Sequence, residues 1–116
     1  MNQDNLAIYF IEMLAKQNAT PEEKKIQALI KAALYGDNLI TFIDEVSKAF
    51  NGCGKVKVDT VKGVTEYYKA NSEVQIRKSD CTDDEKERLI KEASNRITQG
   101  EIWVLGALAH WGYLEE

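Results

Sequence analysis

Thr20-Pro21-Glu22-Glu23 constrains this chain more than any other four residues. A hydroxyl able to accept from a backbone N–H, a proline at the first helical position and a glutamate at the third make a capping box. The two acids also stand at the positive end of the helix dipole. A helix is therefore expected to begin at Pro21. Ile26, Leu29, Ile30, Ala33 and Leu34 follow at helical spacing, and Gly36 is expected to stop the helix in the left-handed conformation. Asn18-Ala19-Thr20 is also a glycosylation sequon, but Thr20 has the better use as a helix start. Thr82-Asp83-Asp84-Glu85 repeats the box. It predicts a helix through Leu89, Ile90, Ala93 and Ile97, to be broken or kinked at Gly100.

The rest of the chain is read around these two anchors. Residues 4–17 predict a first helix with Leu6, Tyr9, Phe10, Met13 and Leu14 at helical spacing, ended by Asn18-Ala19. Asp37 or Asn38 can cap a third helix whose apolar face is Leu39, Phe42, Ile43, Val46 and Phe50, terminated by Asn51-Gly52-Cys53-Gly54. Breaks this short make antiparallel neighbours, as in a bundle. The middle admits two readings. Lys55-Val56-Lys57-Val58 and Glu73-Val74-Gln75-Ile76-Arg77 both alternate with a period of two, while Asp59 or Thr60 could cap a helix bearing Val61, Val64, Tyr67 and Tyr68. The flanks are then either short strands, or residues 72–79 form a second short helix after a turn at Lys69-Ala70-Asn71. Alternation this brief is weak, so helix or extended loop is preferred. From Glu101 to Leu114 the apolar residues surround the axis, which predicts a helix buried on several sides, with Gly106, Ala107, Ala109 and Gly112 allowing close approach. The expected fold is all-α: one domain over residues 1–116, a compact bundle of five to six short helices, with a middle (residues 54–79) that is irregular and open to a partly β form.

Composition limits the function classes. A net charge of −4 and a pI near 5.1 disfavour a general nucleic-acid binder, which needs a basic footprint. Charge is uneven: residues 54–78 are basic, and both flanks are acidic. No basic leader with a cleavage site opens the chain and no apolar run is long enough to cross a bilayer, so a cytoplasmic protein with free thiols is expected, with no membrane contact.

Little here promises chemistry. The chain holds 2 cysteines and 1 histidine, too few for a zinc motif, and no metal or cofactor is expected. Asp80, Asp83, Asp84 and Glu85 hint at a calcium loop, but Glu85 stands where glycine is needed and Lys91 where the bidentate glutamate is needed. Gly52-Cys53-Gly54 lacks the third glycine of a dinucleotide fingerprint. Cys53, with Lys55 and Lys57 nearby, could carry a reactive thiol, and His110 is the only imidazole. No third group is evident to orient such a pair, and a Cys53–Cys81 disulfide is not expected. An enzyme is the weakest class.

Two binding classes remain. Residues 60–78 have helix-turn-helix proportions, with Glu73, Gln75, Arg77 and Lys78 on the second element, types able to read base edges. Val64-Thr65-Glu66-Tyr67-Tyr68-Lys69 resembles a fragment of the DNA-binding domain of bacterial replication initiators. Where that family continues with a basic segment, this chain has Ser79-Asp80-Cys81-Thr82-Asp83-Asp84, so the resemblance implies no function. A DNA-associated regulator is the second reading. The first is a small acidic, non-enzymatic protein-binding module, such as an inhibitor of phage anti-defence type or a toxin-immunity protein. Its expected partner-binding residues are Lys62, Tyr67, Tyr68, Lys69, Arg77, Lys78 and Tyr113. Trp103 and Trp111, eight positions apart, can share one face and are expected to fill the core, while Tyr113 is expected to be exposed. The last helix carries more apolar surface than one core needs, which leaves room for a partner protein or a homodimer through it.

Overall fold

Three helices begin where a side chain caps them. In the computed structural model, which describes residues 3–12, 14, 17–50 and 54–115, the elements run α1 (Gln3–Glu12), α2 (Pro21–Tyr35), α3 (Leu39–Ala49), β1 (Val56–Lys57), α4 (Val58–Arg77), α5 (Asp83–His110) and β2 (Leu114–Glu115). At α2 the capping box closes in both directions: Thr20 Oγ1 accepts from the Glu23 N–H at 3.1 Å, and Glu23 Oε1 accepts from the Thr20 N–H at 3.0 Å. Asn38 Oδ1 accepts from the N–H groups of Ile40 (2.8 Å) and Thr41 (3.1 Å) to start α3. Thr82 Oγ1 accepts from the Glu85 N–H at 3.2 Å to start α5. Its own hydroxyl donates to Glu85 Oε1 at 3.1 Å, so this second box closes side chain to side chain.

The start of α4 is different. Neither Asp59 nor Thr60 caps it, and its N-cap Lys57 has no capping side chain. The cap comes from α2: Glu22 Oε1 accepts from the Lys57 N–H at 3.1 Å, and Glu22 Oε2 accepts from the Thr60 hydroxyl at 3.4 Å. A carboxylate here meets both an orphan donor and the positive end of a second helix dipole. The expected alternation at residues 55–58 shrinks to the two residues of β1. These pair in parallel with the C-terminal β2 (Val56 with Leu114, Lys57 with Glu115), and the Val56 N–H donates to the Tyr113 carbonyl at 2.8 Å.

Other expectations need correction. Residues 73–77 are not a strand and no turn interrupts Lys69-Ala70-Asn71, because α4 is one helix of 20 residues. Gly100 does not break α5, which runs 28 residues, so the two longest helices are not short. Gly36 is not left-handed (φ −72°). It is small because a Cβ there would lie 3.0 Å from Trp103 Cζ3. The left-handed glycine that ends a helix is Gly112 (φ 75°). Behind it the Tyr113 N–H donates to the Leu108 carbonyl at 2.8 Å and the Gly112 N–H to the Ala109 carbonyl at 3.1 Å, a Schellman motif. The first helix does not reach residue 17: α1 is described over Gln3–Glu12, Leu14 and Gln17 are not helical, and positions 13, 15 and 16 lie outside the described residues.

All five stripe residues of α2 are buried, as expected. They join Val61, Val64 and Tyr68 of α4 and Leu89, Ala93 and Ile97 of α5 in one core. The helix α5 packs against every other helix, which makes it the spine of a compact all-α globule. Its Gly100 is buried with Ile30 and Ala33 close by, and a Cβ there would meet them at 3.9 Å, an ordinary contact distance.

Candidate functional site

The structure disperses the residues expected to bind a partner. Tyr68 is 1% exposed and belongs to the core, so no partner can reach its ring. Its hydroxyl has no hydrogen-bond partner, and burial, reinforced by neighbouring Tyr67, pushes its pKa up to about 12. Tyr67 is half-buried against it, with ring centroids 6.2 Å apart. Tyr113 is half-buried, not exposed, and stacks on Phe50 at 6.1 Å and 27°. Lys62, Lys69 and Arg77 do share one side of α4, but Glu66 and Glu73 stand between them at helical spacing. Arg77 pairs with Glu73 at 3.6 Å and Glu87 at 3.1 Å, and Lys86 Nζ donates to the Arg77 carbonyl at 2.9 Å. Lys78 is exposed at the end of the helix. Alternating sign of this kind is the pattern of a solvated helix face.

The continuous α4 also removes the second binding geometry. A helix-turn-helix needs two helices joined by a turn at a steep angle, and residues 58–77 supply one helix. Cys53 lies outside the described residues. Cys81 is half-buried in the α4–α5 turn, and His110 is exposed, edge-on to Trp111 at 4.9 Å. Among the described residues no group of three or more His, Cys, Asp or Glu is placed to hold a metal ion, and no helix is long and apolar enough to cross a membrane.

A more coherent surface lies elsewhere, on α3 and the C-terminal half of α5. Here α3 runs along α5: Phe42 and Trp103 have ring centroids 5.8 Å apart, and the Trp111 Nε1–H donates to the Ile43 carbonyl at 2.7 Å. That bond fixes the indole while leaving Trp111 40% exposed. Ile40 on α3 is 78% exposed, its chain neighbour Leu39 43% and Ile102 on α5 62%. The expectation of burial on several sides is therefore wrong for α5 beyond Gln99. Gly100, Val104, Ala107 and Leu108 face the core, and Ile102, Gly106 and Ala109 face outward. Of the seven large apolar side chains exposed among the described residues, Leu39, Ile40 and Ile102 sit on these two helices, which touch, and Trp111 is the C-cap of α5.

A cleft of about 440 Å³ adjoins this face where α2 ends and α3 begins. Tyr35, Asp37, Asn38, Thr41, Phe42 and Glu45 line it. Tyr35 is exposed, and its phenol is hydrogen-bonded to Glu12. That bond, with some burial and the carboxylate's charge behind it, holds the phenolic proton on and raises its pKa. The cleft thus joins an aromatic wall to two carboxylates. The helical spacing placed Leu39 on the apolar face of α3 but passed over Ile40, which falls off the stripe set by Phe42, Val46 and Phe50. Comparison with protein families, curated proteins and solved structures found no match.

Proposed function

We propose that this chain is a small, non-enzymatic protein-binding module that masks a target protein with the face built by α3 and the C-terminal half of α5. One observation carries the reading: Leu39, Ile40 and Ile102, on two helices that touch, and Trp111, the C-cap of α5, expose large apolar side chains. Exposing such groups to water is unfavourable, and association that covers them recovers that cost. Trp111 suits an anchor, because its ring is held by a hydrogen bond before any partner arrives and loses little side-chain freedom on binding. An inhibitor or immunity-type protein that occludes a target surface by contact alone is the form that fits a chain of this size and acidity.

Photo-crosslinking from within the face tests it. A photoreactive phenylalanine analogue is placed at Ile40, at Ile102 or, as a control, at Glu66 on the mixed-charge side of α4. The expected result is one common protein adduct from positions 40 and 102 and none from 66, lost when Ile102→Asp is added to the position-40 variant. Adducts from position 66 alone, or none from either face position in cells that naturally make the chain, would overturn it.

A further inference from the structure

The charge around the apolar face indicates what should cover it. Over Asp37–Ala49 and Gln99–His110, the acids are Asp37, Asp44, Glu45 and Glu101, against the single cation Lys48, which is already paired with Asp44 at 3.7 Å. Asp37 and Glu45 have no ion pair or hydrogen bond among the described residues, and both open into the α2–α3 cleft beside the exposed ring of Tyr35. The N–H groups of Ile40 and Thr41, which would repel a cation at the start of α3, are already taken by Asn38 Oδ1. An exposed aromatic face with two carboxylates nearby is the environment that an ammonium or guanidinium group favours.

A second copy of this chain fits less well. A two-fold interface sets the same patch against itself, so the unpaired acids would face acids. A partner with an apolar stripe flanked by Lys or Arg removes that repulsion and covers the same side chains. Resting on the binding reading above, we propose that this face receives a basic amphipathic segment of another protein. Its apolar side lies on Leu39 and Ile40, and a Lys or Arg side chain enters the cleft against Tyr35, between Asp37 and Glu45.

Two short model peptides with one leucine stripe, flanked by Lys in one and by Glu in the other, provide the probes. In ¹H–¹⁵N correlation spectra the Lys peptide is expected to shift the amides of Gly36, Asn38, Ile40, Thr41 and Glu45, and the Glu peptide to leave them in place. Asp37→Lys with Glu45→Lys should weaken the Lys peptide about tenfold and let the Glu peptide bind, whereas Asp83→Lys with Asp84→Lys at the far end of α5 should change neither. Equal binding of the two peptides, or shifts centred on Asp83 and Asp84, would overturn the proposal. So would a concentration-dependent dimer abolished by Ile102→Asp, which assigns the face to a second copy. If Ile40→Asp abolishes binding of the cellular partner while the Asp37/Glu45 reversal does not, the face is right and the basic partner wrong.

Discussion

Along α5 the outward residues change character near Gln99. Before it the exposed positions are Asp83, Asp84, Glu87, Arg88, Lys91 and Asn95, and this half is tied to α4 by the Arg77–Glu87 pair and the Lys86–Arg77 carbonyl bond. After it they are Ile102, Gly106, Ala109 and His110, followed by the exposed Trp111. The inward side does not change: Leu89, Ala93 and Ile97 are continued by Val104 and Leu108. One helix thus satisfies the core along its whole length while its outer side is solvated in one half and apolar in the other. Folding alone does not require that second feature, which is why function is sought there.

Two isoleucines five positions apart give the sharpest contrast. Ile97 is 0% exposed and Ile102 is 62% exposed. Ile97→Ala is expected to cost about 2–5 kcal/mol in denaturant unfolding, and Ile102→Ala close to nothing. Equal costs would mean that Ile102 is also core, and the distinction between the two sides of α5 would fail.

The next effect comes from Tyr68. Its folded pKa, near 12, stands above the unfolded value of 10.0, so the native state holds the phenolic proton more tightly. The stability linked to this group is fully present below pH 10 and is lost as pH rises toward 12, by about 2–3 kcal/mol. Comparison of alkaline unfolding in the parent and in Tyr68→Phe isolates that loss, and identical pH profiles would contradict it. At neutral pH the same substitution should be neutral or stabilising, since it removes a buried hydroxyl that lacks a partner.

Gly100→Ala makes a smaller change, in the opposite direction. The added Cβ would sit 3.9 Å from Ala33 Cβ and Ile30 Cγ2, ordinary contact distances, so the gain in helix propensity survives as about 0.5–1 kcal/mol of added stability. Gly36→Ala should instead destabilise, because Trp103 Cζ3 at 3.0 Å and the Ala32 carbonyl at 3.3 Å would each have to give by a few tenths of an ångström. A thermal melt of each variant reads both signs. Smallest of all, Lys62→Ala with Lys69→Ala should leave the melting temperature and partner crosslinking unchanged, as expected for a solvated face. Loss of crosslinking would return the binding site to α4.

The sequence made some of this legible and hid the rest for physical reasons. Thr20, Asn38 and Thr82 marked helix starts because capping is local: the side chain and the N–H it accepts lie within three residues. The cap on α4 was invisible because Glu22 is 35 residues away from Lys57 in sequence. The expected turn at residues 69–71 failed because the polar groups there bond back along the helix. Asn71 Nδ2 donates to the Tyr67 carbonyl at 2.8 Å and the Ser72 hydroxyl to the Lys69 carbonyl at 3.1 Å, while Tyr68 and Ile76 hold the segment in the core. Gly36 and Gly112 exchanged roles because glycine serves both close packing and positive φ, and spacing alone does not say which. Excess apolar character in the last helix was readable. Which residues carry it outward was not, since that depends on where α3 lies.

Solvent accessibility of individual isoleucine methyl groups tests the central claim most directly. With δ1-methyl labelling and a neutral, water-soluble gadolinium chelate, the Ile40 and Ile102 signals should broaden strongly while Ile26, Ile30 and Ile97, all 0% exposed, keep theirs. Protection of Ile40 and Ile102 equal to that of Ile97 in the monomeric protein would show that no open apolar face exists on α3 and α5.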